Sequence, residues 1–203
     1  YVGKDYSLGG ITLLCKFDGQ RVTMASQIAG ADETVSSLYS VKSEQATMLS
    51  FDTYNYLVHY FGQPQGSMAD DPNGTLGGDY EFVISDATAD RIELKGKKYG
   101  NRIVMKAFSA DQTWKQYLTR IKKVEDDAFF YEYDLRMDGL YTGQMLRSNY
   151  TFIVTYYDEV GKVYQKTVPF MFTTDGMRFH EPVTIDGQTM QNFVWKNEEI
   201  SFV

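Results

Sequence analysis

Cysteine is almost missing from this chain. Cys15 is the one example in 203 residues, so no intrachain disulfide can form and no cysteine-rich zinc site can be built. It lies in Ile11-Thr-Leu-Leu-Cys-Lys-Phe17, in register with Ile11, Leu13 and Phe17. That setting reads as a small buried hydrophobe. A nucleophilic thiol needs an exposed, electropositive neighbourhood. Histidine is nearly as scarce: His59 and His180 are the two present. A catalytic triad or a histidine-based zinc site would need one of them. No H-E-x-x-H pair occurs, so the helical geometry of a zinc protease is missing, and no metal and no cofactor is expected. Basic charge is in deficit, with 20 Lys and Arg against 27 Asp and Glu and a net charge of -7. That excludes the basic face that nucleic-acid phosphates require and argues against an anionic membrane surface. No run of 18 apolar residues exists, so no transmembrane helix is expected. No secretory signal is visible in a chain that opens at Tyr1. The G-x-S-x-G elbow, the phosphate-binding P-loop and a strand-linked G-x-G-x-x-G are all missing.

Aromatics are plentiful: 16 Tyr and 13 Phe. Only four prolines interrupt the chain. With 43% hydrophobic and 23% charged residues, the composition is that of a globular domain, tilted towards strands by its Tyr, Phe, Thr and Val. The pattern agrees. Residues 11–17 alternate, Asp18-Gly19 follows, and 20–28 form a second apolar stretch, which is a hairpin signal. Asp138-Gly139, Asp175-Gly176 and Asp186-Gly187 repeat that turn chemistry. Further strands are read at 38–41, 48–51, 80–85, 91–95, 102–107, 129–137, 150–157, 163–172, 190–196 and 200–203. Residues 54–61 alternate in both registers, which suggests a strand buried on both faces. Residues 62–79, with Gly62, Gly66, Gly74, Gly77, Gly78, Pro64 and Pro72, read as a loop.

One helix interrupts this pattern. Ser109 and Gln112 fit a capping box. Trp114, Tyr117, Leu118, Ile121 and Val124 then recur at helical spacing as a core-facing stripe over 109–125. The expected class is mainly β, made of antiparallel hairpin-rich sheets as a sandwich or lipocalin-like barrel halves, about fourteen strands in all, with this one amphipathic helix. The chain is read as one structural unit over 1–203, divisible into β halves 1–108 and 127–203 that the helix joins. The recurrence of hairpins after the helix hints at a duplication.

Five stretches taken together carry a family resemblance. They are Gly9-Gly-Ile-Thr-Leu-Leu-Cys-Lys-Phe-Asp-Gly19, Ser43-Glu-Gln45 leading into Leu49-Ser-Phe-Asp-Thr-Tyr-Asn55, His59-Tyr-Phe61, Gly78-Asp-Tyr-Glu-Phe-Val83, and Leu94-Lys-Gly-Lys-Lys-Tyr-Gly-Asn-Arg102. The chain resembles a family of lipoproteins from Bacteroidetes that carry a domain of unknown function, most sharply over residues 9–106. The resemblance implies an exported protein at the outer membrane or cell surface, anchored by a lipidated cysteine upstream of Tyr1. It also implies a genomic setting beside SusC/SusD-like uptake systems. No catalytic residues come with it.

The residues themselves offer modest candidates. Sugars stack on aromatic rings, and Tyr156, Tyr157 and Trp195 are read as an exposed platform for a ligand. Most of the other tyrosines are expected to form cross-strand pairs, worth roughly 0.2–1 kcal/mol each. Asp70, Asp71, Asn73 and Asp79 offer calcium-type oxygens without the EF-hand spacing. Glu125-Asp126-Asp127 reads as a solvated turn leaving the helix, where acids oppose the dipole. Lys95 to Arg102 reads as a solvated hairpin end, with phosphate binding as the alternative. His180-Glu181-Pro182 is read as the end of a strand. The functional reading is a non-enzymatic exported module that binds a glycan or an outer-membrane uptake protein. The alternatives are a glycan hydrolase with two facing carboxylates and a purely structural protein using the 62–79 loop or an open sheet edge.

Overall fold

Two Asp-Gly pairs set the pattern of the chain. Asp138 and Gly139 have φ of 50° and 80°, and Asp186 and Gly187 have 48° and 78°. Each is a two-residue loop, because Met137 faces Leu140 and Ile185 faces Gln188. Positive φ at both positions gives a turn whose twist matches that of paired strands, which is why Asp or Asn followed by Gly is favoured there. At Asp18-Gly19 the loop slips by one residue: Asp18 pairs with Arg21, and the connection is Gly19-Gln20.

In the computed structural model, Tyr1 to Phe202 are described apart from Glu44, 65–74, Glu159, Asn197 and Glu198. Strands occupy 54% of the chain, which places it in the mainly β class, and its two antiparallel sheets curl as half-barrels. The described residues form two sheets in strict chain order. The first runs β1 (Leu13–Asp18), β2 (Arg21–Ser26), β3 (Val35–Ser43), β4 (Thr47–Phe51), β5 (Glu81–Ala87), β6 (Arg91–Gly96) and β7 (Arg102–Lys106). The second holds β8 (Glu132–Met137), β9 (Leu140–Ser148), β10 (Thr151–Tyr157), β11 (Val163–Phe172), β12 (Gly176–Ile185), β13 (Gln188–Lys196) and β14 (Glu199–Phe202). Every strand pairs only with its neighbours in sequence.

The chain divides into two compact units. One is Tyr1–Tyr6 with Ile11–Thr119; the other is Ser7–Gly10 with Arg120–Val203. In the first, Val22, Met24, Leu49, Phe51, Leu57, Val58, Phe82 and Leu94 form one buried cluster. Each such side chain contributes about 1.5–3 kcal/mol relative to leaving it in water. Cys15 packs against this cluster as a half-buried residue, and burial pushes its thiol up to about 12. In the second, Phe152 and Phe170 stack at 4.4 Å between ring centres, and Phe172, Phe179, Met177, Ile185 and Met190 are fully buried beside strands of the same sheet.

Three local readings are corrected. Residues 54–61 are not a strand: Tyr56–His59 form a short helix, α1, continued by a 3-10 turn over Tyr60–Gly62. The Asn55 side chain accepts a hydrogen bond from the Leu57 N–H at 3.1 Å and caps it. An unbroken apolar run has no period, and the cap was the signal that decides it. The long helix, α2, spans Trp114–Ala128, and its capping box is Thr113 with Gln116. The Gln116 N–H donates to Thr113 Oγ1 at 3.2 Å, while Gln116 Oε1 accepts from the Thr113 N–H at 2.9 Å. Ser109 and Gln112 lie outside it. Leu118, Ile121 and Val124 are buried, as the stripe requires. Glu125, Asp126 and Asp127 therefore belong to the last helical turn; Asp127 pairs with Lys123 at 2.7 Å, and Glu125 accepts from the Tyr150 hydroxyl. Finally, β12 does not end at His180-Glu181-Pro182. Its register with β13 shifts between Arg178 and Val183, and a proline inside a strand is accommodated by such an irregularity.

The loop between β10 and β11 is tied by one carboxylate. Asp158 Oδ1 accepts from the N–H groups of Lys162 at 2.8 Å and Val160 at 3.0 Å, and Oδ2 accepts from the Tyr164 hydroxyl at 3.2 Å. The hydrogen bond from Lys162, aided by that from Val160, holds this carboxyl below its ordinary value. A depressed acid stabilises the fold above its unfolded pKa of about 3.9 and loses that contribution as pH falls through its lower folded value. The wild type should therefore lose more melting temperature than Asp158→Asn between pH 5 and pH 2, as read by calorimetry. Parallel curves would refute this role.

Candidate functional site

The structure does not gather the three aromatic residues singled out in the sequence. Tyr156 and Tyr157 are adjacent on β10 and so face opposite sides of the sheet. Tyr156 is half-buried and stacks on Tyr164 at 5.2 Å with 13° between planes. Tyr157 is exposed. Trp195 stands on β13, with two strands between it and β10, and lies 5.9 Å from the Phe130 ring. Asp70, Asp71 and Asn73 lie outside the described residues, as does most of the 62–79 loop.

Asp79, at the end of that loop, is buried and committed. Its Oδ1 accepts from the Lys98 N–H at 2.7 Å and the Tyr99 N–H at 3.0 Å; its Oδ2 accepts from Tyr99 at 3.2 Å and Asn101 at 3.1 Å. Asn101 completes the arrangement. Its Oδ1 accepts from the Asp79 N–H at 3.3 Å, and its Nδ2 donates to the Gly77 carbonyl at 2.8 Å. The Asp79 carboxylate occupies the place where a side chain on Gly96 would stand. Successive backbone N–H groups in a turn make an anion-binding concavity. Here, in the basic stretch from Lys95 to Arg102, an internal carboxylate fills it. The flanking cations have acids of their own: Lys97 pairs with Glu81 at 3.1 Å and Arg102 with Glu93 at 3.3 Å. No group of three or more His, Cys, Asp or Glu side chains able to hold a metal occurs among the described residues.

Beside this turn stands an aromatic row that sequence reasoning missed. Capping by Asn55 begins α1, with Tyr54 just before the cap and His59 at the helix's last position. His59 Nδ1 lies 3.1 Å from both the backbone N and the backbone O of Asn55, which fixes the ring in place whichever nitrogen carries the proton. The ring of Tyr80 stacks on His59 at 5.0 Å with 17° between planes, and Tyr54 lies 5.6 Å from His59 on a 41° tilt. Tyr80 is brought there by the step from β4 to β5, where the Phe51 N–H donates to the Tyr80 carbonyl at 3.0 Å. Its ring also rests on Gly62, where a side chain would come within 3.3 Å of it. Tyr54 is 61% exposed and Tyr80 45%.

A third exposed tyrosine ring, that of Tyr99, flanks the turn. The Lys98 ammonium sits 4.8 Å from the centre of the Tyr99 ring, and the Tyr99 hydroxyl accepts from Thr75 Oγ1 at 3.1 Å. Hydrogen bonding between Lys98 and Tyr99 holds the Tyr99 phenol below its ordinary value and raises the Lys98 ammonium. Among the described residues around this turn, a ligand would meet the Tyr54, Tyr80 and Tyr99 rings with the Lys98 ammonium beside them.

Fold and site together define a mainly β protein with two chain-ordered curled sheets and an exposed, backbone-anchored aromatic row on the first. The chain belongs to the family of the Domain of unknown function (DUF4302), whose model matches residues 1–197. No curated protein and no solved structure matches it. No helix among the described residues is long and apolar enough to cross a membrane.

Proposed function

We propose that this chain is a carbohydrate-binding module of the bacterial cell envelope, acting without catalysis of its own. One observation carries the reading: Tyr54, His59 and Tyr80 form an aromatic row, stacked at His59–Tyr80 and tilted at Tyr54–His59, with both tyrosine rings exposed. Aromatic rings with an apolar face and a polar tip suit ligands that are apolar on one side and hydroxylated on the other, and pyranose rings are such ligands. Preorganisation of the row lowers the entropy lost on binding. The lipoprotein resemblance supplies the setting. An anchor upstream of Tyr1 would hold the module at the outer membrane, where it would hand oligosaccharides to a SusC/SusD-like uptake system.

The test is a thermal-shift screen against neutral oligosaccharides, followed by titration calorimetry on any hit. A ligand at about 100 times its dissociation constant adds roughly 2.7 kcal/mol, a shift of several degrees. Tyr54→Ala and Tyr80→Ala should each weaken binding about tenfold or more. Their own stability should stay within about 0.5 kcal/mol of wild type, as for other exposed positions. Silence across the whole panel would sink the proposal. New reducing ends in the incubated panel would mean that the protein is a hydrolase instead.

A further inference from the structure

Strand β3 is longer than either neighbour that pairs with it. Its first part, Val35 to Leu38, pairs with β2, and its second part, Tyr39 to Ser43, pairs with β4. On the β2 side the partner chain has already turned away at Gly19-Gln20, and the last bond across is the Tyr39 N–H donating to the Gln20 carbonyl at 3.0 Å. On the other side the Leu38 N–H donates to Thr53 Oγ1 at 2.8 Å. Backbone groups of a strand alternate in direction, so the Val41 N–H and carbonyl point the way Tyr39 does, into the space that β2 has left. Three further observations fall at this place. A cleft of about 480 Å³ opens there, lined by Gly19, Gln20, Leu38, Ser40, Val41 and Asp52 among others. Val41 is 57% exposed. The Ser40 hydroxyl is shut off from solvent without a well-formed hydrogen bond, although the Ser50 hydroxyl and then that of Ser40 hold the Asp52 carboxyl below its ordinary value.

We propose that this edge of β3, unpaired among the described residues, takes an extended peptide segment of a partner protein as an added strand. Main-chain bonds to the Val41 N–H and carbonyl supply the register, as in other cases of strand addition. Side chains on β3 alternate between faces, and they set what the peptide must carry. On the face of Tyr39 and Val41 it needs an apolar residue. On the face of Ser40 and Asp52 it needs a hydrogen-bond donor such as Lys, Asn or Ser, because the Asp52 carboxylate stands there, with Lys42 3.8 Å from it. The fitting motif is an apolar residue next to a donor-bearing one, in a segment without acids.

The experiment pans the intact chain against a phage-displayed library of linear peptides. The peptides that enrich are then measured on Val41→Pro and Val41→Thr. Proline removes a donor that points away from β4, so the β3–β4 ladder survives; threonine keeps the donor. Expected is enrichment of the alternating motif, with affinity lowered about tenfold or more on Val41→Pro and by much less on Val41→Thr, which keeps the donor and exchanges one methyl group for a hydroxyl. Should Val41→Pro not fold, hydrogen exchange on the wild type decides: bound peptide should protect the Val41 amide. The proposal is overturned if nothing enriches, if the peptides bind Val41→Pro as well as wild type, or if protection falls elsewhere. It is also overturned if the wild type self-associates while Val41→Pro stays monomeric, since the occupant would then be a second copy of this chain.

Discussion

Replacing Asp79 by alanine should lower the melting temperature by about 10 °C or more and release the turn between β6 and β7. The side chain serves three backbone N–H groups, those of Lys98, Tyr99 and Asn101, and is 6% exposed. Its loss leaves three donors facing a hole that water must fill, next to Gly96, which has no side chain to offer. Each buried donor left without a partner costs about 1–3 kcal/mol. Partial rehydration brings the sum to about 4 kcal/mol, and each kcal/mol shifts a chain of this size by roughly 2–4 °C. Asp79→Asn should fall between, because its carbonyl oxygen can still accept while its amide cannot. Calorimetry on the three proteins checks this order. An Asn variant as stable as wild type would mean that only one carboxylate oxygen matters. The turn also carries Lys98 and Tyr99, so Asp79→Ala should disturb any ligand contact there, whereas the Tyr54–His59–Tyr80 row, set by α1 and β5, should be less affected.

The second large effect is expected at Gly9. This residue has φ of +68°, and a side chain there would meet the Tyr150 Cβ, the Phe170 carbonyl at 2.6 Å and the Tyr150 carbonyl at 2.7 Å. Its neighbour, the Gly10 N–H, donates to the Phe170 carbonyl at 2.9 Å, and the Phe170 N–H donates to the Tyr150 carbonyl at 2.9 Å. Gly9→Ala must therefore either push two strands apart or undock the segment. Left-handed backbone costs an alanine about 1–2 kcal/mol by itself, and overpacking typically adds another 1–3 kcal/mol, for about 3 kcal/mol in total. The loss should be local. Hydrogen exchange should quicken in β10 and β11 and stay unchanged in β1 to β7, because Ser7–Gly10 count with the second unit. Uniform quickening, or none, would show that the segment is not docked as described.

Much of the fold was legible because its signals are short in range. Alternation in 11–17 and Asp-Gly at 138–139 and 186–187 encode strands and turns within a few residues, and hairpins in chain order need nothing more. The errors fell where local signals compete. Residues 54–61 are apolar on every face, so neither a period of two nor one of 3.6 stands out, and the decision passed to Asn55, an ordinary residue until its bond to Leu57 is seen. Ser109 and Thr113 both head a plausible capping box, and only the geometry at Gln116 chooses between them. The site was less legible for a different reason. Tyr54 and Tyr80 stand far apart in sequence, and nothing in either segment announces that the other ring will lie across His59. Tyr156, Tyr157 and Trp195 looked equally good as sequence, yet alternation along β10 and the strands between β10 and β13 keep them apart. Asp79 seemed a possible ion ligand for want of knowing where its partners were. They lie in the Lys98–Asn101 turn, which was itself read as a hairpin end with a lesser claim on phosphate, and each segment answers the other.

The docking of Ser7–Gly10 on strands near the opposite end of the chain sets an order in time. In synthesis or export that runs from the amino terminus, these residues emerge before β1 to β9 and wait while those strands are laid down, since Tyr150 and Phe170 come late. The first sheet can zip up hairpin by hairpin as it appears, each pairing closing a short stretch of chain. The second is finished only when one of the earliest segments returns to it. A chain cut short before β11 would then leave Ser7–Gly10 without the Phe170 carbonyl that the Gly10 N–H bonds, a difference that a protease could read as the mark of an unfinished molecule.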